Sequence, residues 1–173
     1  MFGKKSSDAQ FRRGLSELFP RLWRYCIALT VNRPDADDLA QAACLRALER
    51  FDKFTPGTRL DSWVFCIAHR IWLNELRAAR IRRGGGIAPI EDLDLVDETS
   101  DVEMNISARE VLRSVMRLPE AQRIMVLLVY VEGFSYKEAA EIAEVPIGTV
   151  MSRLASARKT LTAADNERSS KKA

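Results

Sequence analysis

Between Ser135 and Leu161, two short helical signals sit either side of a three-residue turn, Glu144-Val145-Pro146. That spacing leaves little choice of fold. Ser135-Tyr136-Lys137-Glu138 has the pattern of a capping box, with a serine N-cap and a glutamate three residues on, and predicts a helix over 136–143. Ala139, Ala140 and Ala143 are small where a second helix must come close. A final helix is predicted over 147–164, where Val150, Leu154, Ala157 and Leu161 recur at steps of four, three and four and face inward.

The rest of the chain also reads as helix. Alternating apolar and polar runs are missing, and Gly and Pro fall between helical segments. A first helix is predicted over 8–31, with Phe11, Leu15, Leu18, Leu22 and Tyr25 on one face, broken by Asn32-Arg33-Pro34. A second is predicted over 35–51, with Leu39, Ala43 and Ala47 in line. A third, over 60–82, carries Trp63, Ile67 and Leu76. Gly84-Gly85-Gly86 ends it. Ser107-Ala108-Arg109-Glu110 fits another capping box and opens a helix to about 117. A further helix over 119–132 starts at Pro119 and stops at Gly133. The tail, 168–173, is polar and basic and is expected to fray. The fold class is therefore all-α: two small helical domains, 8–83 and 108–165, joined by a linker over 84–107.

Charge sharpens this division. Residues 1–83 carry 16 basic and 9 acidic residues, a balance of +7. Residues 84–107 carry no basic residue and seven acidic ones, and residues 108–173 return to +3. Basic blocks attract phosphate backbones and acidic ones are repelled by them. The linker reads either as a plain solubilising tether or as an extended acidic strand acceptable to a basic nucleic-acid channel.

On the last helix, Thr149, Ser152, Arg153 and Ser156 follow the helical period along one flank of the buried stripe. A helix offering hydroxyls and an arginine suits the major groove of DNA, because arginine pairs with guanine and hydroxyls bond bases or phosphates. Arg158 and Lys159 are placed for backbone contacts. The bland alternative is a solvated helical hairpin. On the third helix Arg70, Asn74 and Arg77 share a face, and Arg80, Arg82 and Arg83 continue the basic run.

Other classes are disfavoured. One histidine, no glycine-rich phosphate loop and no Ser or Cys with a plausible base argue against an enzyme. Cys26, Cys44 and Cys66 form no C-x-x-C pair, so no metal and no cofactor is expected; they read as reduced, mostly buried thiols, with a redox role the alternative. No apolar run is long enough to span a bilayer, and no secretory signal is visible, so the expected location is the cytoplasm.

The motifs resemble those of extracytoplasmic-function sigma factors of the sigma-70 family. Leu118-Pro119-Glu120-Ala121-Gln122-Arg123, Gly133-Phe134-Ser135-Tyr136-Lys137-Glu138-Ala139-Ala140 and Val145-Pro146-Ile147-Gly148-Thr149-Val150-Met151-Ser152-Arg153-Leu154 resemble region 4. Asp35-Ala36-Asp37-Asp38-Leu39-Ala40-Gln41 resembles region 2.2, and Leu60-Asp61-Ser62-Trp63-Val64-Phe65-Cys66-Ile67-Ala68-His69-Arg70 resembles regions 2.3 and 2.4. The stretches Phe54 to Leu60 and Phe134 to Ala140 also resemble the general-stress branch.

The resemblance implies a dissociable subunit of core RNA polymerase that directs promoter-specific initiation, with an anti-sigma protein as regulator. It implies that Asp35, Asp38, Leu39, Gln41 and Ala42 meet the clamp coiled coil of the largest subunit, although dipole capping by the acids is a coexisting reading. It implies that Lys53, Arg59, Arg70, Asn74, Arg77 and Arg80 serve minus-10 recognition and melting. Thr149, Ser152, Arg153, Ser156, Arg158 and Lys159 would serve the minus-35 element. Trp63 matches a core position; Trp72 either packs on the first helix or supports the single strand. Two departures, Met151 and Ser156, stand where the family often has a basic residue, which leaves the minus-35 preference open. A stand-alone helix-turn-helix regulator is the rival reading, but it leaves the first 83 residues unused.

Overall fold

The computed structural model describes residues 2–82 and 106–172, with side chains described over 8–79, 81–82 and 111–163. Among the described residues there is no strand. The acidic stretch and the glycine run lie outside them, as does the side chain of Arg80. The chain divides into two compact units, Met1–Asp92 and Leu93–Ala173.

The first unit is a three-helix bundle of α1 (Phe2–Thr30), α2 (Arg33–Glu49) and α3 (Leu60–Arg82). Its core is made by Leu22, Tyr25 and Leu29 of α1, Leu39 of α2, and Val64 and Phe65 of α3, all 1% exposed or less. Ala36, Ala40, Ala43 and Ala47 form a fully buried small-residue column on α2, which lets α1 and α3 pack closely on either side. Tyr25 stacks on Phe65 with centroids 4.9 Å apart and shares a 2.8 Å hydrogen bond with Nδ1 of His69. The single histidine is thus part of the core.

The α1–α2 break differs from expectation. Asn32-Arg33-Pro34 ends the first helix and also starts the second: Asn32 is an N-cap whose Oδ1 accepts from the Asp35 N–H at 3.1 Å. Pro34 sits in the first turn, where its missing N–H costs nothing. Val31 takes φ +56 to make the reversal, an uncommon conformation for a β-branched residue. α1 runs from Phe2 through Pro20 without ending there. α2 stops at Glu49, and a 3-10 turn (Phe51–Lys53) follows it. Phe51 and Phe54 then close on Phe11, with centroids 4.8 and 5.6 Å away, and Trp63 lies 5.4 Å from Phe54. Trp63 is therefore a half-buried member of an aromatic cluster at the bundle's end.

The second unit comprises α4 (Ile106–Met116), α5 (Glu120–Val126), α6 (Tyr136–Ile142) and α7 (Ile147–Lys172). Its core joins Met125, Leu128, Phe134, Ile142, Val150 and Leu154. α4 already includes Ile106, so Ser107 lies in its first turn and does not cap it. The expected helix over 119–132 changes at Val126 into a π-helical turn, Leu127–Val131, closed by Glu132 N–H to the Leu127 carbonyl at 2.9 Å. The wider turn leaves Tyr130 and Val131 about half exposed while Leu128 and Phe134 reach the core.

The capping box at Ser135 forms as read: Ser135 Oγ accepts from the Glu138 N–H at 3.2 Å, and the Ser135 N–H donates to Glu138 Oε2 at 2.8 Å. After α6, Glu144 adopts φ +53 and the Val145 N–H reaches back to the Ala140 carbonyl at 3.0 Å, a Schellman ending without glycine. α7 continues to Lys172, past the expected frayed tail. Its last turns hold no Gly or Pro to stop them.

Candidate nucleic-acid interface

In the first unit, the loop between the 3-10 turn and α3 stands off α1 and forms a cleft of about 540 Å³. Phe11, Gly14 and Glu17 line one wall, and Phe54, Thr58 and Leu60 the other. The loop is a built turn. Gly57 has φ +88, a conformation only glycine takes readily, and the Thr58 hydroxyl donates to the Thr55 carbonyl at 2.7 Å. Gly14 is small for a packing reason: a Cβ there would lie 2.9 Å from Leu60 Cδ2.

Asp61 anchors the loop to the bundle. Arg59 donates from Nε and Nη2 to its two oxygens at 3.0 and 2.7 Å, and Arg21 of α1 adds an Nη1 donor at 3.3 Å. Burial pushes the Asp61 carboxyl up, but the hydrogen bonds from Arg59, the Ser62 N–H and Arg21 outweigh it, so the group sits below the usual carboxylate range. Arg59, expected to face a single strand, is thus engaged within the loop. Lys53 is exposed and 3.6 Å from Asp52.

On α3, Arg70, Asn74 and Arg77 are all exposed, and Arg77 Nη1 donates to Asn74 Oδ1 at 3.2 Å. The amide oxygen and a guanidinium therefore meet on one surface. Trp72 is half-buried, and its buried indole N–H has no hydrogen-bond partner, which fits packing in the bundle better than display to solvent.

Of the α2 residues expected to meet polymerase, Asp35, Asp38 and Gln41 are exposed and Ala42 is half-buried. Leu39 is corrected: at 1% exposed it belongs to the core, because it lies on the inward stripe with Ala36, Ala40 and Ala43. Asp37 also turns inward, accepting from Trp23 Nε1 at 2.6 Å. Leu45, which sequence reading passed over, is 60% exposed one turn beyond Gln41 and extends the same face. On α3, Glu75 has its carboxyl pushed up, by burial first and then by Asp35 and Asp38 of α2. Burial similarly raises Cys44 and, with Cys44 and Glu75 adding, pushes Cys26 up to about 12, which leaves little reactive thiolate.

In the second unit, Val150, Leu154 and Ala157 are fully buried, while Leu161 is half-buried. Opposite them Ser152, Ser156 and Lys159 are exposed, Arg158 is exposed along one edge, and Thr149 and Arg153 are half-buried on the other flank. The Ser152 hydroxyl donates to the Thr149 carbonyl at 3.0 Å and keeps its lone pairs outward. Two exposed apolar side chains on this helix, Ile147 and Met151, were not read as contact residues. A missed core feature is Arg123, 4% exposed, which donates from Nη1 to the Met116 and Leu118 carbonyls at 3.2 and 3.0 Å and so caps the end of α4.

Comparison with known proteins places this geometry. The family described as Sigma-70 region 2 matches residues 15–82, and Sigma-70, region 4 matches 108–161. The ECF RNA polymerase sigma factor EcfG of Rhodopseudomonas palustris is 33% identical over 149 residues, covering 83% of this chain and 78% of that protein. The ECF RNA polymerase sigma factor SigC of Mycobacterium tuberculosis is 31% identical, covering 82% and 76%. Among solved structures, the sigma factor RpoE of Bartonella quintana, in complex with the anti-sigma factor NepR, superposes with a TM-score of 0.71 at 26% identity, over 88% of this chain and 94% of that one. With both regions matched in order and curated relatives covered over most of their length, the chain belongs to the ECF RNA polymerase sigma factors.

Proposed function

We propose that this chain joins core RNA polymerase in the cytoplasm and directs initiation at a specific set of promoters, with the first unit handling the minus-10 element and the second the minus-35 element. The observation that carries this is the ordered pair of region 2 and region 4 matches, each falling on its own folded unit. The exposed Arg70–Asn74–Arg77 surface and the cleft under the Thr58 turn support single-strand capture, since an unstacked base needs hydrogen bonds and a pocket. Asp35, Asp38, Gln41, Ala42 and the newly noted Leu45 form the face for the polymerase clamp.

An anti-sigma protein is part of the reading. It is supported by the likeness to RpoE of Bartonella quintana, whose structure holds NepR. The general-stress branch remains the role suggested by the Phe54 to Leu60 and Phe134 to Ala140 stretches.

Run-off transcription with core polymerase on a randomised promoter library tests the proposal. Expected is initiation at a defined promoter class only when the chain is added. Nanomolar binding of a palindromic duplex by the chain alone, with no association with core polymerase, would overturn it in favour of a stand-alone regulator.

A further inference from the structure

Ile147 and Met151 are 46% and 49% exposed, one turn apart at the start of α7. Residues in an α-helix advance about 100° each, so Ile147, Met151 and Arg158 fall within about 40° of one another. They make a strip along one edge of the exposed face. Gly148 and Ser152 beside it are small, and a Cβ at Gly148 would meet nothing within 4 Å. The two apolar side chains therefore stand proud of a low surface. The fold does not need them there, since the inward stripe is already complete with Val150, Leu154 and Ala157.

The strip borders the exposed face carrying Ser152, Ser156 and Lys159, which has a single lysine and no arginine at its centre. The centre of that face therefore offers guanine no guanidinium fork. The apolar group that base edges offer in the major groove is the thymine C5-methyl. Arg158 at the far end of the strip is placed for the phosphates that bound the groove.

We infer that Met151, backed by Ile147, is a specificity-determining contact that reads a thymine methyl in the minus-35 element. This rests on the reading that α7 enters the groove as part of a polymerase holoenzyme.

The test uses the full chain with core polymerase and duplex promoters selected from a pool randomised at the minus-35 element. A fixed thymine is expected in the selected sites. Replacing it by deoxyuridine, which removes only the methyl, should weaken binding roughly three- to fivefold, the worth of one buried methyl. Met151→Ala should bind thymine and deoxyuridine templates equally. Met151→Arg should shift the selected base toward guanine. Selected sites without a fixed thymine overturn the inference, as does equal binding of both templates by the wild type or persisting discrimination in Met151→Ala. Failure to recruit core polymerase to any promoter overturns the functional reading itself, and with it this contact.

Discussion

Arg59 and Asp61 grip one another through two hydrogen bonds, Nε to Oδ1 at 3.0 Å and Nη2 to Oδ2 at 2.7 Å, across the residue that starts α3. The carboxylate is mostly buried while the guanidinium is nearly half exposed. The pair locks the loop to the helix, and Arg21 ties both to α1. The cleft beside Leu60 is thus walled by a loop that its own ion pairs hold in place.

Asp61→Asn should loosen this loop and cost about 1 kcal/mol, discounted for the exposed partner. The Asp61 carboxyl is held below its ordinary range. Its contribution is therefore full above the unfolded value, roughly pH 4, and is lost as pH falls through the lower folded value. Thermal melts of wild type and Asp61→Asn should differ at pH 7 and converge in acid. A gap that stayed constant down to pH 2 would show that the ion pair contributes nothing.

Among the described residues of the second unit, Arg123 is the most deeply placed charge. Its guanidinium satisfies the Met116 and Leu118 carbonyls at the end of α4, where the helix dipole favours a cation. Burial pulls its proton affinity down while Glu120 pushes it back up. Arg123→Met keeps most of the volume but leaves both carbonyls without this donor, and should cost roughly 2 kcal/mol. Urea unfolding that moved by less than about 0.5 kcal/mol would mean that water replaces the guanidinium freely.

How far each feature could be read from sequence follows from how local its cause is. α3 begins where the spacing put it, at Leu60, because the turn at Thr55 to Thr58 precedes it. The Ser135–Glu138 capping box is legible since both partners lie within one turn. The π turn at Leu127–Val131 was not, because apolar periodicity reads alike for both helix types and the choice is made by where Leu128 and Phe134 must land. Arg123 hid in a motif whose other residues suggest a helix start, and nothing local says that it turns back to α4. Leu39 shows the opposite error: a family contact position here falls on the inward stripe of α2. The exposure of Met151 was legible, as a large apolar residue off the buried stripe is left outside whenever that stripe is already full.

Arg153 lies on the flank of α7, half-buried, away from the centre of the exposed face at Ser152. A half-buried stem suits its guanidinium to phosphates, which take half or more of the hydrogen bonds at protein–DNA interfaces. Arg153→Ala should weaken holoenzyme binding by a similar factor on every promoter and lower the slope of log K against log salt by about one. A loss confined to sites with one particular base would instead assign it to base readout.

Gly148 separates folding from function. It sits in the first turn of α7 with ordinary helical backbone, and an added methyl would touch nothing within 4 Å. Alanine is the better helix former by up to about 1 kcal/mol in a helix interior and by less in a first turn. Gly148→Ala should therefore leave the melting temperature equal or slightly raised. Yet a glycine that the fold does not require leaves the surface bare between Ile147 and Ser152, where a groove wall would come closest. The same substitution should weaken promoter binding about tenfold, or about 1.4 kcal/mol, and Gly148→Leu should weaken it further. Equal promoter affinity for glycine, alanine and leucine would place the DNA farther from this turn and move the contact surface down the helix toward Ser156 and Lys159.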